Sequence, residues 1–371
     1  EFVRHEPPYE EFFRIAGQYN KMQNFIIIGR GGAVTSFKAI FQALGQHKTT
    51  KKVHILDTND PMYVNYLKRK CKKDDTLVIV ISKSGMTTDV IEDFIALQEY
   101  QKLIITGDNK SPLKQMQEVH DLTYAEHPNI GGRFSAITAS TLLPAALLFI
   151  DAQAIAHGMR AMYALCSPKR VIGENPALEL AATLYLLEQD GYTDIFTPLY
   201  GHQFKGFNEL ITQLMHETVC KEGKGMNLQA SPAPESQHHT NQRIFGGRNN
   251  LVIIPHASQS TNEDVKISVP YEYKDISIKD AKLGMLEGES LHHALLYEYD
   301  GVCEEALAKH IPLCTVTLDA ITPHSVGELI AFWQYVSIYS ALLRNVNPYD
   351  QPEVEASKIR SFEHRKSRTK H

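Results

Sequence analysis

Seven consecutive residues, Ser82-Lys83-Ser84-Gly85-Met86-Thr87-Thr88, hold four hydroxyls and a glycine. They lie between an apolar run ending at Ile81 and a segment with apolar positions at Val90, Ile91, Phe94 and Ile95. An apolar run followed by a helix-period pattern reads as strand, loop and helix. Such a junction offers unpaired backbone N–H groups and the positive end of a helix dipole. Hydroxyls add neutral donors, and Gly85 lets an anion approach the backbone closely. The chemistry this suits is capture of a phosphomonoester, since no Walker lysine pattern for a nucleoside triphosphate is present. An ordinary helix cap at Thr87 or Thr88 is the simpler reading, but one cap does not use four hydroxyls. A second glycine-rich strand exit, Gly29-Arg30-Gly31-Gly32-Ala33, lacks the third glycine of a dinucleotide fingerprint. It reads as a tight turn that brings a small ligand to the sheet edge, with Gly32 at that ligand.

Three further segments carry charge in suggestive settings. Gly131-Gly132-Arg133-Phe134-Ser135 puts one arginine after two flexible residues; it is either a turn with a surface cation or a fixed cation facing an anionic intermediate. Glu217 follows the apolar positions Phe207, Leu210, Ile211, Leu214 and Met215, spaced i, i+3, i+4, i+7 and i+8. It falls at the edge of that stripe near the helix C-terminus, a placement suited to a carboxylate base. Taken singly, a solvated glutamate is the plainer reading. Pro352 suits the first turn of a helix, so Gln351, Glu355 and Lys358 share a face, and an exposed Glu355–Lys358 ion pair is the plain alternative there.

The elements that must position these residues alternate in type. Strands are expected at 25–28, 53–56, 77–81 and 103–106, with helices at 9–18, 34–44, 61–71 and 89–101 between them. This rhythm implies a parallel sheet with helices on both faces, whose ligands sit beyond the carboxyl ends of the strands. A helical zone over 138–188 leads to a second unit. Its strands are expected at 193–196, 251–255 and 313–318, and its helices at 203–220, 288–308 and 323–343. The domain boundary falls within 151–175, giving an N-terminal unit over 1–165 and a C-terminal unit over 166–371, in keeping with a 371-residue length.

Composition narrows the function classes. A net charge of −5 provides no basic field for nucleic acid, and no apolar run is expected to approach the roughly 20 residues that cross a bilayer. The five cysteines form no C-x-x-C pair, so a reducing cytoplasm is expected. His238-His239 and His292-His293 are adjacent pairs whose rings point to different faces, which is poor ligand spacing for a metal. The start, Glu1-Phe2-Val3-Arg4, has no signal-peptide profile and no Met, and reads as a trimmed start or fragment.

Taken in order, the turn at 29–33, Val80 to Gly85, Gly131 to Ser135, the stretch from Glu217 to His238, and Val346-Asn347-Pro348-Tyr349-Asp350-Gln351-Pro352-Glu353-Val354-Glu355 resemble the phosphoglucose isomerase family. The resemblance spans nearly the whole chain. It implies an α/β fold of two doubly wound parallel-sheet sugar isomerase (SIS) domains, and interconversion of glucose 6-phosphate and fructose 6-phosphate. By the same resemblance Ser82, Ser84, Thr87 and the Lys83 backbone hold phosphate, and Gln351 binds substrate. Glu217 shuttles the proton between C1 and C2 while Arg133 stabilises the cis-enediolate. His238, from the neighbouring subunit of a homodimer, and Lys358 open the sugar ring. No metal or organic cofactor is implied, and the partners are a sugar phosphate and a second copy, with neither nucleic acid nor membrane. Ala33 stands where the family has serine, and His216-Glu217-Thr218-Val219-Cys220-Lys221 replaces the usual Gly-Glu-Ser-x-Gly-Lys, leaving a bulkier wall beside the base. Alternatives are a non-catalytic sugar-phosphate sensor, a dual phosphoglucose/phosphomannose isomerase, and the isomerase part of a fused enzyme. Gln351 weighs against the dual enzyme, whose representatives usually carry threonine there.

Overall fold

The fold is taken from a computed structural model that describes residues 2–46 and 48–368. After helix α1 (Tyr9–Gln18), strand β1 (Asn24–Ile28) opens the first unit. It continues through α2 (Thr35–Ile40), β2 (Lys52–Leu56), α3 (Pro61–Lys70), β3 (Thr76–Ser82), α4 (Thr88–Ala96), β4 (Gln101–Thr106), α5 (Pro112–His120) and β5 (Thr123–Glu126). All five strands are parallel, in the order β2-β1-β3-β4-β5. The short apolar runs are central strands: every residue of β1 and β3 is buried. One face carries Ile27, Ile79 and Ile105 into the main core, and the other packs Ile26, Val78 and Ile104 under α3, α4 and α5, as expected of a sheet covered on both sides.

Three helices follow, α6 (Ala139–Leu147), α7 (Ala152–Leu165) and α8 (Pro176–Gln189). The second unit begins at β6 (Asp194–Tyr200) and runs through α9 (Phe207–Val219), β7 (Asn227–Ala233), α10 (Gln237–Gly246), β8 (Leu251–Ile253) and β9 (His256–Ser260). An arm over 261–290 carries the small hairpin of β10 (Ser277–Ile278) and β11 (Ala281–Lys282). Helices α11 (Leu291–Ala308), α12 (Pro323–Leu343) and α13 (Pro352–Arg368), with strand β12 (Val316–Ala320), complete the chain. The second sheet is also parallel, in the order β12-β9-β6-β7, with β8 beside β6.

Several expectations shift. Strand β7, absent from the expected strands, runs to Ala233; Pro232 is tolerated there because β7 is an edge strand. Helix α4 stops at Ala96 rather than near 101, and β4 starts at Gln101 after a four-residue turn. Helix α12 is long and apolar enough to cross a bilayer, contrary to the expectation that no stretch reaches that length. It is the core helix of the fold: each residue from Leu329 to Ala341 is buried, and its main packing partners are α7, α8 and α9.

At the centre of that helix Trp333 is wholly buried and donates from Nε1 to His256 Nε2 at 3.0 Å. His256 Nε2 is thereby an acceptor, so its Nδ1 carries the proton toward Ile254 O, 3.0 Å away. Burial pushes the His256 pKa down to about 4. A folded-state pKa below the unfolded value near 6.5 means the unfolded chain takes up the proton first as pH falls. Stability is therefore lost as pH drops from about 6.5 to about 4, by up to about 1.4 kcal/mol per pH unit from this residue. In His256→Gln, denaturant melts between pH 7.5 and 4.5 should show a correspondingly shallower fall; an unchanged slope would contradict this assignment.

Candidate active site

The first sheet reverses its strand order between β1 and β3, and the two glycine-bearing loops leave the sheet there. In open α/β sheets this switch point is where ligands sit. The loop after β3 makes its own scaffold. Gly85 has φ +63°, and a Cβ there would stand 2.0 Å from Ser111 Oγ, so no side chain fits. Ser82 Oγ and Thr87 Oγ1 lie 2.9 Å apart, and Ser84 Oγ accepts from Met86 N at 3.2 Å. Thr87 is the cap residue of α4, yet its side chain makes no capping bond. The first N–H groups of α4 thus receive no side-chain cap from Thr87. Lys83 turns outward, its Nζ 3.5 Å from Asn129 Oδ1, which fits a backbone role in the loop.

Gly32 is buried in the turn after β1. A Cβ added to it would meet Arg133 N at 2.3 Å and Gly132 C at 2.4 Å. Its bare backbone lets the turn lie flat against Gly131-Gly132-Arg133, so two loops of the site share one wall. Arg30, beside it, ties the same turn to the cradle helix: Nε bonds Asp89 Oδ2 and NH2 bonds Asp93 Oδ2, both at 2.6 Å. Sequence reasoning missed this arginine, which stands on a loop with its acidic partners about sixty positions away.

Arg133 is the hub. It is only 3 % exposed, and all its nitrogens are engaged. Nε donates to Thr218 Oγ1 at 2.9 Å, and NH1 donates to Glu217 Oε2 at 3.2 Å and to Gln351 Oε1 at 2.8 Å. NH2 donates to Pro348 O at 2.6 Å and Asp350 O at 3.0 Å. Burial pulls the guanidinium below its usual pKa, while the charge and bond of Glu217 push back. Arg133, Glu217 and Gln351, expected from three distant segments, therefore meet. Lys221 supports the same loop, donating to Asn347 O and, at 2.8 Å, to Asp350 Oδ1; that bond holds the Asp350 carboxyl below its ordinary pKa.

Glu217 lies on α9, whose residues Phe207, Leu210, Ile211, Leu214 and Met215 are buried as their spacing implied. Its side chain is 26 % exposed, and Oε1 accepts from Gln213 Nε2 at 2.8 Å. Gln213, four residues earlier on the same face, was missed; the i, i+4 spacing was the available signal. His238 and Lys358 are not brought to this group. His238 is exposed at the start of α10, with no hydrogen bond of its side chain. Lys358 is exposed on α13 and pairs with Glu355 at 2.8 Å, the plain reading of that spacing. Among the described residues no cluster of three or more metal-ligating side chains occurs.

Two parallel doubly wound sheets, with a hydroxyl-rich glycine loop at the switch point of the first, form an α/β sugar-isomerase-type architecture. No family model matches the chain. Curated relatives do: it is 27 % identical over 369 residues to the glucose-6-phosphate isomerase of Acholeplasma laidlawii, covering 95 % of this chain and 85 % of that protein. It is 25 % identical over 348 residues to the glucose-6-phosphate isomerase of Methanocaldococcus jannaschii, covering 91 % and 83 %. The crystal structure of a glucose-6-phosphate isomerase from Chlamydia trachomatis shares the fold, with a TM-score of 0.79 at 19 % identity over 97 % of this chain and 72 % of that one. The chain is a relative of the glucose-6-phosphate isomerases along nearly its whole length.

Proposed function

We propose that this protein is an aldose–ketose isomerase that interconverts glucose 6-phosphate and fructose 6-phosphate. The observation that carries the reading is the Arg133–Glu217 pair, a guanidinium and a half-buried carboxylate 3.2 Å apart, joined through Gly32 to the turn beside an uncapped phosphate cradle. The N-terminal unit, 1–165, supplies Ser82, Ser84, Thr87, the Lys83 backbone, Gly32 and Arg133. The C-terminal unit, 166–371, supplies Glu217, His238, Gln351 and Lys358.

The phosphate anchors the sugar on the α4 N-terminus. Glu217 takes the proton from C2 of the open aldose and returns it to C1, while a proton passes from O2 to O1. Electrons stay within the sugar, so the step balances without a redox partner. Negative charge that builds on the enediolate oxygens faces Arg133, whose five fixed hydrogen bonds leave it little to reorganise. Ring opening falls to His238 and Lys358. His238 is exposed and unpaired on its own subunit, which supports delivery of this ring to the site of a second copy in a homodimer. Lys358 must swing in with α13, none of whose residues is buried. The place of action is the cytoplasm.

A coupled assay on fructose 6-phosphate tests this. Robust wild-type turnover is expected, with little on mannose 6-phosphate. Tight binding of the sugar phosphate without turnover would establish a sensor instead.

A further inference from the structure

Glu217 is tethered at both oxygens, and the second tether leads through Gln213 to Thr35. Gln213 donates to Glu217 Oε1 at 2.8 Å. A carboxamide can turn either its oxygen or its nitrogen toward a neighbour, and an oxygen facing the carboxylate would be repulsive. The Glu217 carboxylate only accepts, so Nε2 must face it, and Oε1 is left to accept from Thr35 Oγ1 at 2.8 Å. Thr35 is the first residue of α2 and 4 % exposed, so water does not compete for its hydroxyl. The turn preceding α2 leaves room for the amide: Gly31 has φ +51°, and a Cβ there would come within 3.1 Å of Gln213 Nε2.

We infer that Thr35 is a positioning residue for the proton transfer, acting through Gln213 to fix the plane of the Glu217 carboxylate. The inference rests on the reading of Glu217 as the base. The terminal torsion of a glutamate is broad and close to two-fold, so a single bond from Arg133 to Oε2 leaves the carboxylate free to swing about that contact. A second bond at Oε1 removes the freedom. Because Thr35 comes from the N-terminal unit and Gln213 from the C-terminal one, the relay also registers the base against the turn that borders the phosphate cradle. Proton transfer between adjacent carbons is sensitive to such placement, since displacements of about 1 Å can lower a rate by up to about 10²-fold.

The test is steady-state kinetics on fructose 6-phosphate with Thr35→Val, Thr35→Ser, Gln213→Leu and the double variant Thr35→Val/Gln213→Leu, each first checked by thermal melting. Thr35→Val, nearly isosteric but unable to donate, should lower kcat about tenfold with KM within about twofold, as expected for an interaction realised in the transition state. Thr35→Ser should recover kcat to within about twofold of wild type. In the Gln213→Leu background Thr35→Val should cost nothing more, because the relay is already cut. A folded Thr35→Val with wild-type kcat, or full additivity in the double variant, overturns the relay while leaving the isomerase reading intact. Should Thr35→Val not fold, Gln213→Leu carries the same expectation, and wild-type kcat in that variant overturns it. A wild-type chain without turnover removes the isomerase reading and the relay together.

Discussion

Glu217→Gln should lower kcat for fructose 6-phosphate by about 10² to 10⁴-fold, the usual contribution of a general base, with KM changed far less. The amide keeps the shape of the side chain and can still accept from Arg133, whose NH1 lies 3.2 Å from Oε2. It cannot take a proton from carbon. A variant that melts like wild type and binds the sugar phosphate, yet does not turn it over, isolates chemistry from binding. Retention of more than a tenth of wild-type kcat would mean the proton is moved by another group.

Arg133→Met should lower both turnover and stability. Turnover should fall by about 10²–10³-fold through loss of the charge that meets the enediolate. Stability should fall by about 3–5 kcal/mol, because removing one partner strands a part-buried carboxylate and the carbonyls of Pro348 and Asp350. Arg133→Lys should recover little of either, since an ammonium cannot reproduce a fork that reaches Thr218, Glu217, Gln351 and two carbonyls at once. Limited proteolysis offers an independent check: cleavage around residues 346–351 should quicken in Arg133→Met. Cleavage at the wild-type rate there would show that Lys221 alone holds the loop.

Much of this site was legible because its signals are local. A strand that ends in Ser82 and a helix that begins at Thr88 announce the cradle. The apolar stripe of α9 fixes which way Glu217 leans. What stayed hidden depends on distance or on broken patterns. Arg30 and its aspartates are far apart in sequence and meet only because β1 and β3 are neighbours. Strand β7 reads poorly because Pro232 interrupts it, and the strand expected at 251–255 ends at Ile253, with β9 starting anew at His256 after Pro255. Thr35 looks like any helix-start hydroxyl until Gln213 is seen above it. His238 and Lys358 carry no local signal strong enough to place them, and a single copy of the chain leaves both in solvent.

The position of α12 in the chain bears on how the protein is made. Its chief packing partner is α7, which is synthesised more than a hundred and fifty residues earlier. During translation the apolar face of α7, with Ile155, Ala156 and Met159, must wait for a helix made more than a hundred and fifty residues later. The first sheet can form early, but its outer layer cannot close. Such a nascent chain displays sticky surface over that interval, a situation in which chaperone holding matters.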